Sequence, residues 1–136
     1  MYPRSLLSVL LTMLVLLATR SAAFAQDTVF EVKTEAGGIL KIVSQLTPIS
    51  INRIHSWEII LTNADGTAVS GAEIEVVGGM PLHDHGLPTE PRVTAETSSG
   101  HYLLEGMRFH MQGQWEILFN INKATGSDSA ILDFEL

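Results

Sequence analysis

Trp115-Glu116-Ile117-Leu118-Phe119-Asn120-Ile121-Asn122 alternates without a break. Trp115, Ile117, Phe119 and Ile121 fall on one side of an extended chain, and Glu116, Leu118, Asn120 and Asn122 on the other. Successive side chains of a strand point to opposite faces, so this octet reads as a strand with one buried, heavily aromatic face. Downstream, Thr125-Gly126-Ser127 makes a turn into Ser129 to Leu136, where Leu132, Phe134 and Leu136 face inward against Asp133 and Glu135. Upstream, Arg92 to Glu96 and Gly100 to Leu104 flank Ser98-Ser99-Gly100 as a hairpin. Before it, Ala72, Ile74 and Val76 alternate with Glu73 and Glu75 until Gly78-Gly79 ends the run. Earlier still, Trp57, Ile59 and Leu61 alternate with Ser56, Glu58 and Ile60 ahead of an Asn63-Ala64-Asp65-Gly66 turn. Thr28 to Lys33 and Gly38 to Gln45 open the domain around Gly37-Gly38. About eight short strands at close spacing, with no helical pattern of useful length after residue 25, predict an all-β, immunoglobulin-like antiparallel β-sandwich of seven to eight strands. Trp57 and Trp115 then belong on opposing inner faces.

The first 25 residues carry a different pattern. Arg4 supplies a positive start, Leu6 to Ala18 is an apolar run of 13 residues, and Ala23-Phe24-Ala25 is a small-x-small cleavage site before Gln26. These are the parts of an export signal, and 13 residues fall short of the roughly 20 that a membrane-spanning helix needs. Residues 1–25 are therefore expected to be a signal peptide and residues 26–136 one mature domain, periplasmic or secreted and with no membrane span. Its loss removes Arg4 and Arg20 and no acid, taking the formal net charge from −7 to −9. Arg53, Arg92, Arg108 and three lysines scattered among fifteen acids make no basic face, which argues against nucleic acid as a partner. The chain has no cysteine, so the exported domain rests on its apolar core, and any soft-metal site in it is built from Met and His.

The candidate chemistry sits in Gly78-Gly79-Met80-Pro81-Leu82-His83-Asp84-His85-Gly86-Leu87-Pro88-Thr89-Glu90-Pro91, where three prolines and three glycines predict a rigid irregular loop. His83 and His85 are one residue apart and can point to the same side of an extended segment, with the Met80 thioether three residues upstream. The other half of a metal site would lie in Met107-Arg108-Phe109-His110-Met111, the second place where His and Met cluster. As a strand, that segment puts Met107, Phe109 and Met111 on the core face and His110 opposite, so His110 and Met111 share a site only if the strand bulges or ends there. The imidazoles could instead donate to carbonyls that the loop leaves unpaired, and Met80 could simply fill the core. His55 and His101 read as surface or strand-edge residues, and Asp84 as a solvated loop carboxylate.

The string Met80-Pro81-x-His83-x-His85-Gly86-x-Pro88-Thr89-x-Pro91, then Gly100-x-Tyr102, Gly106-x-x-Phe109-His110-Met111-x-Gly113 and Trp115, resembles the YtkA-like, or FixH-like, domain of small exported bacterial proteins. The likeness runs from about Trp57 to Ile121. Gln112 and Gln114 stand where a proline and an aromatic are more usual, and Asp84 where a small residue is common. The resemblance implies an immunoglobulin-like sandwich, an association with copper and with haem-copper oxidase maturation, and hence a copper-receiving or membrane-bound oxidase assembly partner.

An enzyme is not expected: there is no nucleophile elbow, no His-Glu-x-x-His helix, no cysteine and no glycine-rich phosphate loop. Two functions remain. One is an exported copper-handling accessory domain with Met80, His83, His85, His110 and Met111 as ligands, a donor set of imidazole and thioether that suits copper better than zinc. The other is a metal-free interaction module that docks through the Pro/Gly-rich loop. Whether the Met and His side chains converge separates the two.

Overall fold

A computed structural model describes residues 27–136; the expected signal peptide and its cleavage site lie outside the described residues. Nine strands follow in order: β1 Val29–Lys33, β2 Ile39–Ser44, β3 His55–Thr62, β4 Glu73–Met80, β5 His85–Gly86, β6 Arg92–Ser98, β7 His101–Met107, β8 Gln114–Lys123 and β9 Gly126–Glu135. They form two antiparallel sheets, β1-β2-β3-β7-β6 and β5-β4-β8-β9. The chain is thus an all-β sandwich. No helix among the described residues is long and apolar enough to cross a membrane.

Alternation builds the core as expected. Along β3, Trp57, Ile59 and Leu61 are buried, and along β8, Trp115, Ile117, Phe119 and Ile121 are buried. Trp57 and Trp115 are 0% and 1% exposed, one in each sheet. Phe109, just beyond β7, joins them: its ring centroid lies 5.9 Å from Trp57, 5.0 Å from Trp115 and 5.3 Å from Phe134. Each such side chain contributes roughly 1.5–3 kcal/mol by leaving water, so without disulfides this cluster is a main source of stability.

The structure departs from the sequence reading at four places. The strands number nine, because the expected loop contains the two-residue β5. β4 does not stop at Gly78-Gly79 but runs to Met80, since those glycines serve close approach: a Cβ on Gly79 would lie 3.0 Å from the His85 carbonyl oxygen of β5. β7 ends at Met107, so Met111 leaves the core face and is 38% exposed, while Met107 and Phe109 stay fully buried. His55 is buried rather than superficial, its ring packed 5.8 Å from Phe109 and its Nδ1 hydrogen-bonded to the Arg53 carbonyl at 3.0 Å. Burial there pushes the His55 pKa below 6.5, more than that hydrogen bond raises it.

β8 fixes the long axis. Its first residues lie beside the His/Met loop, and its last residue, Lys123, donates to Asp128 at 2.9 Å at the opposite end. Asp128 also accepts from the backbone N–H groups of Ala36 and Ser129, both at 2.9 Å, which ties the β1–β2 turn to β9. Burial alone would raise the Asp128 pKa, but these bonds, with one from the Thr34 hydroxyl, outweigh it and hold the carboxyl at about 2.

Candidate functional site

After β4 the chain reverses within a few residues. The His83 N–H donates to the Met80 carbonyl at 2.9 Å, and Asp84 adopts φ 52°, a left-handed conformation that short polar side chains tolerate. His85 thereby returns opposite Met80, and Gly86 opposite Gly79. The Leu87 N–H then donates to the Gly78 carbonyl at 2.9 Å, fastening the loop to the sheet edge. This local geometry sets three depths. Met80 is 1% exposed, His85 is half-buried, and His83 is exposed.

The second segment reaches the same place by a different route. The Asn52 N–H donates to the Phe109 carbonyl at 2.7 Å, and the Trp115 indole N–H donates to the Met111 carbonyl at 3.1 Å, so the backbone around His110 is held from both sides. Gly113 takes φ 127°, and a Cβ there would lie 2.9 Å from the Met80 methyl group. The positive φ favours glycine here, and its lack of a Cβ leaves room for the Met80 methyl.

The outcome is a row of rings. His83 stacks on His85 with centroids 5.9 Å apart and planes at 19°; His85 faces His110 at 5.0 Å and 48°; His110 meets Trp115 at 5.6 Å and 76°. Of the five expected ligands, His85 neighbours both His83 and His110, and Met80 stands opposite His85 in the β4–β5 pairing. Met111 neighbours the row through its backbone and is partly exposed to solvent. Because β7 has already ended, His110 and Met111 are not forced to opposite faces of a strand.

The Nδ1 atoms of His85 and His110 are buried and have no hydrogen-bond partner. The competing use of these imidazoles, donation to stray loop carbonyls, therefore does not occupy either Nδ1. Three further buried nitrogens lack partners, His55 Nε2, Trp57 Nε1 and Arg108 Nε. Those of His55 and Trp57 belong to buried core residues, whereas His85 and His110 are half-buried residues facing each other at the surface. Among the described residues no three His, Asp or Glu side chains gather closely enough to hold one ion. Asp84 is solvent-exposed, and Glu90 pairs with Arg92 at 3.1 Å, so neither is drawn to the row. What the site offers is two facing imidazoles, one of them opposite the buried Met80 in the β4–β5 pairing.

Sequence reasoning treated Trp115 as core alone and missed that it walls the site. The signal was its place two residues after Gly113, at the head of β8. Gly79, which lets β5 lie close on β4, and Gly113, which lets the second segment lie against Met80, were also missed.

No curated protein and no solved structure matches the chain. The YtkA-like family model matches residues 41–119, more than half the chain and a span that includes both segments of the site. On that match, this chain belongs to the YtkA-like family.

Proposed function

We propose that this YtkA-like domain is an exported, non-enzymatic copper-handling domain that holds the ion with His85 and His110 beside Met80, while His83 and Met111 are donors the ion meets on its way in. The observation that supports it is the pair of buried, unpartnered Nδ1 atoms on two facing imidazoles. Leaving a buried polar atom unpaired costs roughly 1–3 kcal/mol, and a ligand that accepts both nitrogens removes that cost. Two imidazoles and a thioether favour copper, with the thioether adding preference for Cu(I). The graded depth of the donors supports handling as opposed to permanent storage: exposed His83 and Met111 can meet the ion before the deeper groups hold it. A copper-receiving or membrane-bound oxidase assembly protein is the partner this role requires, in the periplasm or outside the cell.

An anaerobic competition titration of residues 26–136 with Cu(I), repeated with Cu(II) in air, tests this. Wild type should bind one ion more tightly than an ordinary histidine-bearing surface, and His85→Ala with His110→Ala should weaken binding at least about 100-fold. Met80→Leu should weaken Cu(I) more than Cu(II). Equal affinity in the double histidine variant would refute the site. In that case the metal-free docking module takes over, a reading favoured by Leu82, which is 82% exposed at the loop tip.

A further inference from the structure

We infer that the outer face of the four-stranded sheet is a docking surface for a protein partner whose contact surface is basic. The strand register places Val77 beside Leu118 and Leu118 beside Ile131, so three apolar side chains form one row across β4, β8 and β9. They point away from the core, and Val77 and Ile131 are 53% and 49% exposed. On one flank lies the row Glu75, Asn120 and Ser129; on the other, Gly79, Glu116 and Asp133. Glu73 and Glu135 stand further out. All five acids are exposed, and no outward residue of β4, β8 or β9 is a lysine or arginine, because Lys123 is turned inward onto Asp128.

The other sheet serves as an internal control. On its outer face Glu31 lies opposite Lys41, Glu105 lies opposite Arg92, and Glu58 is hydrogen-bonded to His101 at 2.8 Å. That face sets Glu31 and Glu105 against bases across the strands, and it too carries apolar side chains, Val29 beside Val43 with Val29 45% exposed, so the two faces differ in charge. The four-stranded sheet instead surrounds its apolar row with five exposed acids and no outward base.

The charge selects the occupant. A second copy of this chain, a nucleic acid or an anionic bilayer would bring like charge against these acids. A protein surface with lysine or arginine around a small apolar centre would neutralise them while burying the row. The position suits the purpose as well. A cleft of about 450 Å³ lined by Val77, Gly79, Met80, His85, Glu116 and Leu118 connects the row to the imidazole loop, so a partner seated here lies directly beside His85. The surface does not depend on copper, and its test uses metal-free protein, so the two proposals fail separately.

The probe is a synthetic peptide of alternating lysine and leucine, titrated into ¹⁵N-labelled residues 26–136 at low and high salt. The largest amide shifts should fall on Val77, Leu118, Ile131 and their cross-strand neighbours, and affinity should drop as salt screens the acids. The triple variant Glu75→Gln, Glu116→Gln, Asp133→Asn should bind about tenfold more weakly, and Ile131→Ser about fivefold more weakly, with unchanged melting because all four side chains are exposed. Shifts spread over both sheets, unchanged affinity in either variant, or no binding would overturn the proposal. Self-association of the metal-free protein through this face in sedimentation would also overturn it, by making a second copy the occupant.

Discussion

The two ends of β8 solve the same problem in opposite ways. At the Lys123 end a buried carboxylate is fully served: Asp128, whose side chain is 1% exposed, accepts from Lys123, Ala36 and Ser129. At the Trp115 end the Nδ1 atoms of His85 and His110 are buried without a protein partner. A satisfied polar cluster fixes structure, since every donor and acceptor has been spent on the fold. An unsatisfied one on half-buried, facing side chains is stability given up at a place where a ligand can recover it. The difference is what sets the proposed site apart from a structural network within one small domain.

The sharpest way to disturb the comparison is at the residue that supports the open end. Trp115→Ala removes a fully buried ring packed on Phe109 and His110, and should cost roughly 3–5 kcal/mol in chemical denaturation. Trp115→Phe keeps most of the ring and loses the bond to the Met111 carbonyl, so its expected cost is about 1 kcal/mol. Near-wild-type melting of Trp115→Ala would mean that the two sheets are not held as described.

The closed end comes next. Asp128→Ala leaves Lys123, itself only 11% exposed, without its counter-charge and strands two backbone donors, so a loss of about 3 kcal/mol is expected. The same group sets an acid limit. Its folded pKa of about 2 is depressed from 3.8, so its contribution is full above about pH 5 and fades as pH falls towards 2, a change of roughly 2 kcal/mol. His55 acts earlier. Its folded pKa is lowered from 6.5, so the unfolded chain takes up the proton first and stability declines as pH drops below that value. Denaturant midpoints from pH 7.5 to 3 should therefore fall in two stages, and Asp128→Asn should flatten the lower one.

A small effect on stability is expected where the effect on binding is largest. His85→Ala with His110→Ala removes nitrogens that make no hydrogen bond, so melting of the metal-free protein should move by no more than about 1 kcal/mol. A loss as large as that of Asp128→Ala would show that the open end is as structural as the closed one.

Much of this fold could be read from local pattern. The alternation around Trp57 and Trp115 placed both indoles between the sheets, because a period of two leaves a strand only one way to face a core. The His/Met clusters were also visible as candidates. Their arrangement was not, since it depends on contacts between segments far apart in sequence. The passage of β4 through Gly78-Gly79 follows from the close approach of β5, and the outward turn of Met111 follows from β7 ending at Met107. His55 looked superficial because nothing in its neighbourhood announces that Phe109, more than fifty residues on, will cover it. Asp128 gave no local sign either, as the Ala36 N–H that it accepts comes from the first turn of the domain.

We propose that the unpartnered nitrogens of His85 and His110 are the copper donors. Long-range ¹H–¹⁵N spectra of the histidine rings, recorded before and after one equivalent of Cu(I) under nitrogen, address it directly. The Nδ1 resonances of His85 and His110 should both shift on loading, those of His55 and His101 should stay in place, and the added copper should be retained against a weak competitor. Retained copper with the His85 and His110 Nδ1 resonances unmoved would contradict the account.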